Sequence, residues 1–162
     1  MGAAALDERT LADLLPGTWT IVATNFPMWL TGQRLEPRFT YELVTESPLV
    51  LSDDVSYVEE GEEKHILGQD TLRGDEFVWR GRKLLRLVSS RWSVAGVSDD
   101  GDIAVVRFSK SLATPAGVDI IVREGTSHPE VRRTVAHATD DFGLTPEEFG
   151  SLTWFTAGPT TG

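Results

Sequence analysis

The chain contains no cysteine, only two methionines, and no apolar run near the ~20 residues of a transmembrane helix. Without cysteine it can form no disulfide, no thiolate metal site and no cysteine-linked lipid anchor. Basic residues are also scarce, because 15 lysines and arginines face 25 acidic residues and leave a net charge of −10. Nucleic acids and anionic membranes need positive counter-charge, so we expect neither as a partner.

The first residues do not have the pattern of a secretory signal. Asp7, Glu8 and Arg9 lie where a signal peptide has its apolar core. Together with the lack of cysteine, this predicts a cytoplasmic protein with no membrane span. A length of 162 residues is typical of a single domain.

Short strand-like segments alternate with turn signals through most of the chain. Asp100-Gly101 is the clearest hairpin turn, because glycine tolerates a positive φ angle there. This spacing favours an antiparallel barrel or sandwich. The predicted strands are 18–25, 38–45, 49–58, 63–72, 75–81, 91–98, 102–109 and 117–124.

Helical patterns lie on both sides of these strands. Residues 1–16 are predicted to hold a short helix that leads into the barrel and stops at Pro16-Gly17. Ser127 and Glu130 have the spacing of a capping box, which predicts a helix over 127–142. Its apolar stripe consists of Val131, Val135, Ala138 and Phe142.

The last part of the chain predicts three further features. A second capping box begins at Thr145, and a short return strand follows at 152–155. Residues 156–162 are rich in glycine and threonine and are predicted to be a flexible tail. The barrel with its C-terminal helix is therefore expected to span 17–155.

Four segments, taken in this order, resemble motifs of the lipocalin family, and most closely of its bacterial branch. They are Gly17-Thr18-Trp19, the strand Trp92–Ser98, the apolar run Ile120–Arg123, and the helix end and return strand between Phe142 and Trp154. The resemblance implies an all-β fold: an eight-stranded antiparallel up-and-down barrel, with a short N-terminal helix, a C-terminal α-helix and a short last strand.

The resemblance also implies structural roles for Gly17, Trp19 and Arg123. In lipocalins the motif tryptophan lies at the closed end of the barrel with the arginine of the eighth strand packed across it, a cation–π contact of ~0.5–2 kcal/mol. Two features depart from the bacterial pattern. The cysteines and lipoprotein leader are missing, and Ser98 ends the strand where the middle motif usually has an aspartate.

The apolar segment Phe26–Leu30 follows the first strand, where the resemblance places a loop over the open mouth of the barrel. Five apolar residues in a loop need to be covered. They can fold back as a plug or extend the first strand, act as a lid that touches a ligand, or form a homodimer contact. Phe26, Met28 and Trp29 are therefore candidate ligand-binding residues.

Residues on the predicted strands supply the other candidates. Tyr41, Trp79 and Trp92 can be ordinary packing residues, or they can form the wall of an apolar cavity. Polar strand residues that could hold the polar end of a ligand are His65, Gln69 and Arg107, although each can equally face solvent.

The sequence contains no motif of an enzyme active site. It has no nucleophile elbow, zinc-protease motif, phosphate-binding loop or dinucleotide fingerprint. The neighbouring carboxylates Asp53-Asp54, Asp99-Asp100 and Asp140-Asp141 are poor candidates for sharing a proton, because strand neighbours point to opposite faces. No metal or cofactor is expected.

Three functions remain open from the sequence. The first is binding of a small hydrophobic or amphipathic molecule in the barrel cavity. The second is a cofactor-free isomerase or cyclase of natural-product biosynthesis that holds its substrate in a reactive conformation in the same cavity. The third is an interaction module that uses the Phe26–Leu30 loop.

Overall fold

The computed structural model describes residues 6–111 and 115–155, so the predicted flexible tail lies outside the described residues. Within them the chain forms one antiparallel sheet with the order β2-β3-β4-β5-β6-β7-β8-β1-β9. The sheet closes into a barrel because β1 also pairs with β2. The strands are β1 Gly17–Thr24, β2 Leu35–Glu46, β3 Leu49–Glu59, β4 Glu62–Arg73, β5 Glu76–Gly81, β6 Ser89–Val97, β7 Ile103–Phe108, β8 Gly117–Arg123 and β9 Thr153–Trp154.

In the described part of the chain, four short α-helices accompany the barrel: α1 Glu8–Leu14, α2 Pro27–Leu30, α3 Val131–Ala136 and α4 Pro146–Ser151. No helix in residues 6–111 and 115–155 is both long and apolar enough to cross a lipid bilayer. The eight-stranded barrel, the N-terminal helix, and the C-terminal helix with its short last strand confirm the predicted fold class.

Trp19 and Arg123 lie at the closed end of the barrel. Trp19 is fully buried, and the guanidinium carbon of Arg123 lies 4.3 Å from the centroid of its ring. The same guanidinium donates hydrogen bonds to the backbone oxygens of Leu14 and Pro16. Gly17 has a φ of 126°, and a Cβ atom there would lie 3.1 Å from Arg123 Nη1. The Gly-x-Trp turn thus joins α1, β1 and β8.

The C-terminal helix is shorter than the predicted span of 127–142. It is α-helical only over Val131–Ala136, and its N-cap is Glu130 without a side-chain hydrogen bond, so the predicted capping box at Ser127 is wrong. From His137 the chain forms turns and lies close to the barrel, since a Cβ at Gly96 would be only 2.5 Å from the Cα of Phe142. The capping box at Thr145 is present as predicted.

The C-terminal segment covers the outer face of β7 and β8. These strands are buried on both faces, with Ala104, Val106 and Ile121 inside the barrel core. The apolar stripe of the C-terminal segment packs on their outer side, as its spacing predicted. The buried residues of this outer cluster are Ala23, Ile103, Val105, Val118, Ile120, Val122, Val135, Phe142 and Leu144.

Candidate functional site

The open end of the barrel encloses a cavity of about 150 Å³. Alternation along the strands directs one residue in two toward it. Seven of its lining residues are aromatic, and the polar ones include two aspartates. The lining residues are Phe26, Met28, Trp29, Phe39, Tyr41, Asp53, Val55, Ile66, Trp79, Ser90, Trp92, Phe108 and Asp119.

Helix α2 covers the mouth of this cavity. Proline at its first turn starts the helix, and the backbone N–H of Phe26 before it donates a hydrogen bond to Thr24 Oγ1. Phe26 and Trp29 are buried, and their rings make edge contacts with Phe108 and Tyr57. The apolar loop therefore folds back as a plug whose inner side is also cavity wall.

Trp92 forms the floor of the cavity. Its ring is stacked between Tyr41 and Phe77, with centroid distances of 5.5 and 4.5 Å. The indole N–H donates a 2.9 Å hydrogen bond to Asp70 Oδ1, which lies behind the cavity wall. This bond satisfies the one polar atom of the indole in a buried position and fixes the orientation of the ring.

Three carboxyl groups are buried inside the barrel. Asp53 on β3, Asp70 on β4 and Asp119 on β8 are 6%, 0% and 1% exposed. One oxygen of each, namely Asp53 Oδ1, Asp70 Oδ2 and Asp119 Oδ1, accepts no hydrogen bond from the described residues. No lysine, arginine or histidine is among the residues found to line the cavity. Asp53 and Asp119 therefore have no cationic side chain beside them in this cavity, although Asp53 also lines a second pocket with Arg82.

Burial raises the pKa of each of these carboxyl groups, because desolvation penalises the charged form. The pKa of Asp119 rises to about 7, against a small opposing effect of the Thr24 hydroxyl. The pKa of Asp70 rises to about 6, opposed by its interaction with Asp53 and by the hydrogen bond that it accepts from Trp92. The pKa of Asp53 is raised well above its usual value by burial and by the adjacent charge of Asp70.

Asp53 and Asp70 are neighbouring buried carboxyl groups, and the charge of Asp70 helps to raise the pKa of Asp53. Because a charge on one disfavours a charge on the other, the two groups titrate as a pair. Tyr41, which pairs with Asp53 across β2 and β3, also has a raised pKa through burial and through the charges of all three aspartates. The cavity therefore holds protons at neutral pH that exposed carboxyl groups would have lost.

The predicted ligand-binding residues fall into two groups. The structure brings six of them together around the cavity: Phe26, Met28, Trp29, Tyr41, Trp79 and Trp92. His65, Gln69 and Arg107 are not among the cavity-lining residues.

These three polar residues occupy the outward positions of their strands. His65 contacts Asp54 on β3 through Nδ1 at 2.9 Å, and this partner raises its pKa. Gln69 alternates with the buried Asp70 and is exposed. Arg107 donates hydrogen bonds to both carboxylate oxygens of Glu148, which ties α4 to β7.

Sequence reasoning missed Asp70 and Asp119 as site residues. Asp119 had a recognisable signal, because it interrupts the apolar run of β8, whose residues are buried on both faces of the sheet. Asp70 had none, since its partners Asp53 and Trp92 lie on other strands. Asp53 and Asp54 point to opposite faces of β3, as expected for strand neighbours. Asp53 has another neighbour, Asp70 on the next strand, which the sequence alone does not reveal.

One group of side chains has the composition of a metal site. Single ligand atoms of Asp100, Asp102 and His128 lie within 4.8 Å of one another at the closed end. Asp102 already contacts Arg123 at 3.7 Å and His128 at 3.3 Å. Asp100 Oδ1 accepts hydrogen bonds from Ser98 Oγ and from the backbone of Asp102. These contacts give the cluster a structural role, because they stabilise the hairpin between β6 and β7.

The fold is shared with a solved crystal structure, that of lobster apocrustacyanin A1. The two chains superpose with a TM-score of 0.61 at 10% sequence identity, over 96% of this chain and 88% of that one. At this identity the likeness shows the fold alone. Comparison of the sequence with protein-family models and with curated proteins gives no match. The chain thus has a lipocalin-like barrel fold.

Proposed function

We propose that this protein binds a small hydrophobic or amphipathic molecule in the barrel cavity. The observation that carries the proposal is the cavity itself, because aromatic rings form most of its wall and a few polar groups converge on it. Phe26, Met28 and Trp29 would cover the ligand, while Tyr41, Trp79 and Trp92 would contact it from the strands.

The size of the cavity limits the ligand when α2 is in place. A volume of about 150 Å³ matches cavities that hold a benzene-sized molecule. A larger ligand would need α2 to move away from the mouth. The proposal therefore favours a ligand with a single ring at the buried end.

Tryptophan fluorescence tests this proposal directly. Trp29, Trp79 and Trp92 line the cavity, whereas Trp154 lies on β9 outside the barrel. Titration with a panel of single-ring and amphipathic compounds should quench or shift the emission. Trp79→Phe should remove part of this response, and the matched control Trp154→Phe should leave it unchanged. A panel that leaves the emission of the wild-type protein unaltered would refute the binding function.

The buried carboxyl groups favour one second function, a cofactor-free isomerase or cyclase acting in the same cavity. A protonated Asp53 or Asp119 could donate a hydrogen bond to a substrate carbonyl, which would polarise it without a metal or cofactor. Two results would support this reaction. Turnover of a substrate should fall as the pH is raised through 7, and the Asp119→Asn variant should have a different pH profile. A pH-independent rate in both proteins would argue against it.

The proposal keeps three finer predictions open to test. A cytoplasmic location is compatible with the cysteine-free sequence, whereas a relation to the bacterial branch of lipocalins rests on the order of the four motifs. Of the Phe26–Leu30 segment, Leu30 is the one large hydrophobic side chain that is exposed, at 42%. A homodimer through this segment would therefore have a small contact, and the mass in solution will decide it.

A further inference from the structure

We infer that the ligand of this cavity is a small organic cation, with an aromatic or similarly sized apolar body and an ammonium group bound by Asp53 and Asp119. This inference rests on the proposed binding function and names the chemical class of its ligand.

Asp53 and Asp119 have no cationic side chain beside them in the cavity. Asp53 and Asp119 line the cavity and are each at least nine-tenths buried, and one oxygen of each accepts no hydrogen bond from the described residues. Buried carboxyl groups are normally paired with a cation or fully hydrogen-bonded. A bound ammonium group would supply both the positive charge and the donors that these oxygens lack.

Aromatic rings form much of the cavity wall around these carboxyl groups. The aromatic lining residues come from α2 and from β2, β5, β6 and β7, so rings lie on several sides of the cavity. The faces of aromatic rings attract cations, most strongly when the cation is shielded from water. Carboxylates and aromatic rings together therefore favour an organic cation over a neutral or anionic ligand of the same shape.

The chain as a whole is strongly acidic. Its net charge of −10 would concentrate cations near the surface and repel anions. Lysine and arginine do not occur among the lining residues found for this cavity, so no positive side chain there competes with a cationic ligand.

Proton release is the expected companion of cation binding. The titratable groups around the site are Tyr41, Asp53 and Asp119, which line it from β2, β3 and β8, and Asp70 on β4, which lies behind its wall. Near neutral pH these aspartates hold part of their protons because burial raises their pKa values. An arriving ammonium group lowers those pKa values, so protons leave as the ligand binds, and affinity increases from pH 6 to pH 8.

The test compares three probes of nearly equal shape, namely benzylamine, benzyl alcohol and benzoate, by tryptophan fluorescence at pH 7.5. We expect benzylamine to bind about tenfold more tightly than benzyl alcohol, and benzoate to bind most weakly. Asp53→Asn and Asp119→Asn should remove this preference. Asp54→Asn is the matched control, because Asp54 is next in sequence but faces outward toward His65, and it should keep the preference.

A second measurement on the wild-type protein does not depend on how the variants fold. Calorimetric titration of benzylamine in two buffers of different ionisation enthalpy should show that protons are released at pH 7. Binding without release would overturn the inference, as would a preference that survives both aspartate substitutions.

The outcomes separate the two proposals. If benzyl alcohol binds as well as benzylamine, the cation inference is wrong and the binding function stands. If none of the three probes binds, and the wider panel is also inactive, both proposals fail.

Discussion

Asp119 is expected to make the protein less stable as the pH rises from about 4 to about 7. Its carboxyl group has a pKa of about 7 in the folded protein, against an ordinary value of 3.8 for an exposed aspartate. The folded state therefore keeps a proton that the unfolded state releases, and the unfolded state is favoured as the pH increases. The sign is opposite to that of an acid in a salt bridge, whose contribution is lost as the pH falls.

The size of the effect follows from the difference between the two pKa values. About three pKa units at 1.36 kcal/mol each amount to about 4 kcal/mol at pH 8, and to less than half of that at pH 5. Asp119→Asn keeps the shape of the side chain and can still accept the hydrogen bond from Thr24. It should therefore be more stable than the wild-type protein at pH 8, and its advantage should shrink by about 2.5 kcal/mol at pH 5.

Urea denaturation of both proteins at pH 5 and pH 8 measures this change. Any pH-independent effect of the substitution cancels when the two pH values are compared. The contact between His65 and Asp54 also loses stability as the pH rises, but it is present in both proteins and cancels as well. Asp54→Asn provides the contrasting case, because it removes that contact and leaves Asp119 intact. Parallel pH profiles for the wild-type protein and Asp119→Asn would refute the assignment of a raised pKa to Asp119.

Three further substitutions test other parts of the structure. Arg123→Ala should lower the free energy of unfolding by about 2 kcal/mol, because it removes the cation–π contact with Trp19 and two hydrogen bonds to backbone oxygens; a denaturation midpoint within error of the wild-type value would contradict this. Trp29→Ala should cost about 3 kcal/mol and speed ligand entry by opening the mouth; stopped-flow fluorescence checks the rate, and an unchanged association rate would mean that α2 does not limit access. Thr145→Ala should cost about 1 kcal/mol by removing the N-cap of α4, while Ser127→Ala should be neutral in the same thermal melts; equal losses for both would show that the capping assignment is wrong.

The strands could be predicted from the sequence because their signals are local, whereas the contact between Trp19 and Arg123 at the closed end was expected only from the resemblance to lipocalins. Alternation, turn glycines and the Gly-x-Trp motif each concern residues that are close in sequence, and the eight predicted strands all occur. The helix over 127–142 was predicted too long because its apolar stripe continues past the point where the helix ends. Its C-cap is His137, and the turns that follow bring Phe142 close to Gly96 on β6, a contact 46 positions away in the chain.

The candidate site was predictable only in its apolar part. The sequence leaves Tyr41, Trp79 and Trp92 as either packing residues or cavity wall, because large aromatic side chains are usually buried. Polar strand residues carry no such bias, and the inward side of β4 and β7 depends on a register that the sequence does not reveal. The sequence therefore does not distinguish His65, Gln69 and Arg107, which face outward, from Asp70, which faces inward.

Closure of the barrel makes folding depend on the C-terminal part of the chain. The first strand completes its pairing only with β8 and β9, so Thr20 meets Val122, and Thr24 meets Thr153, more than a hundred positions later. Contacts of such sequence separation slow folding, because a long loop must be ordered before they form. Until the C-terminal segment arrives, the outer face of β7 and β8 is an uncovered apolar surface. A nascent or truncated chain that ends before Val131 should therefore aggregate even though all eight barrel strands are present.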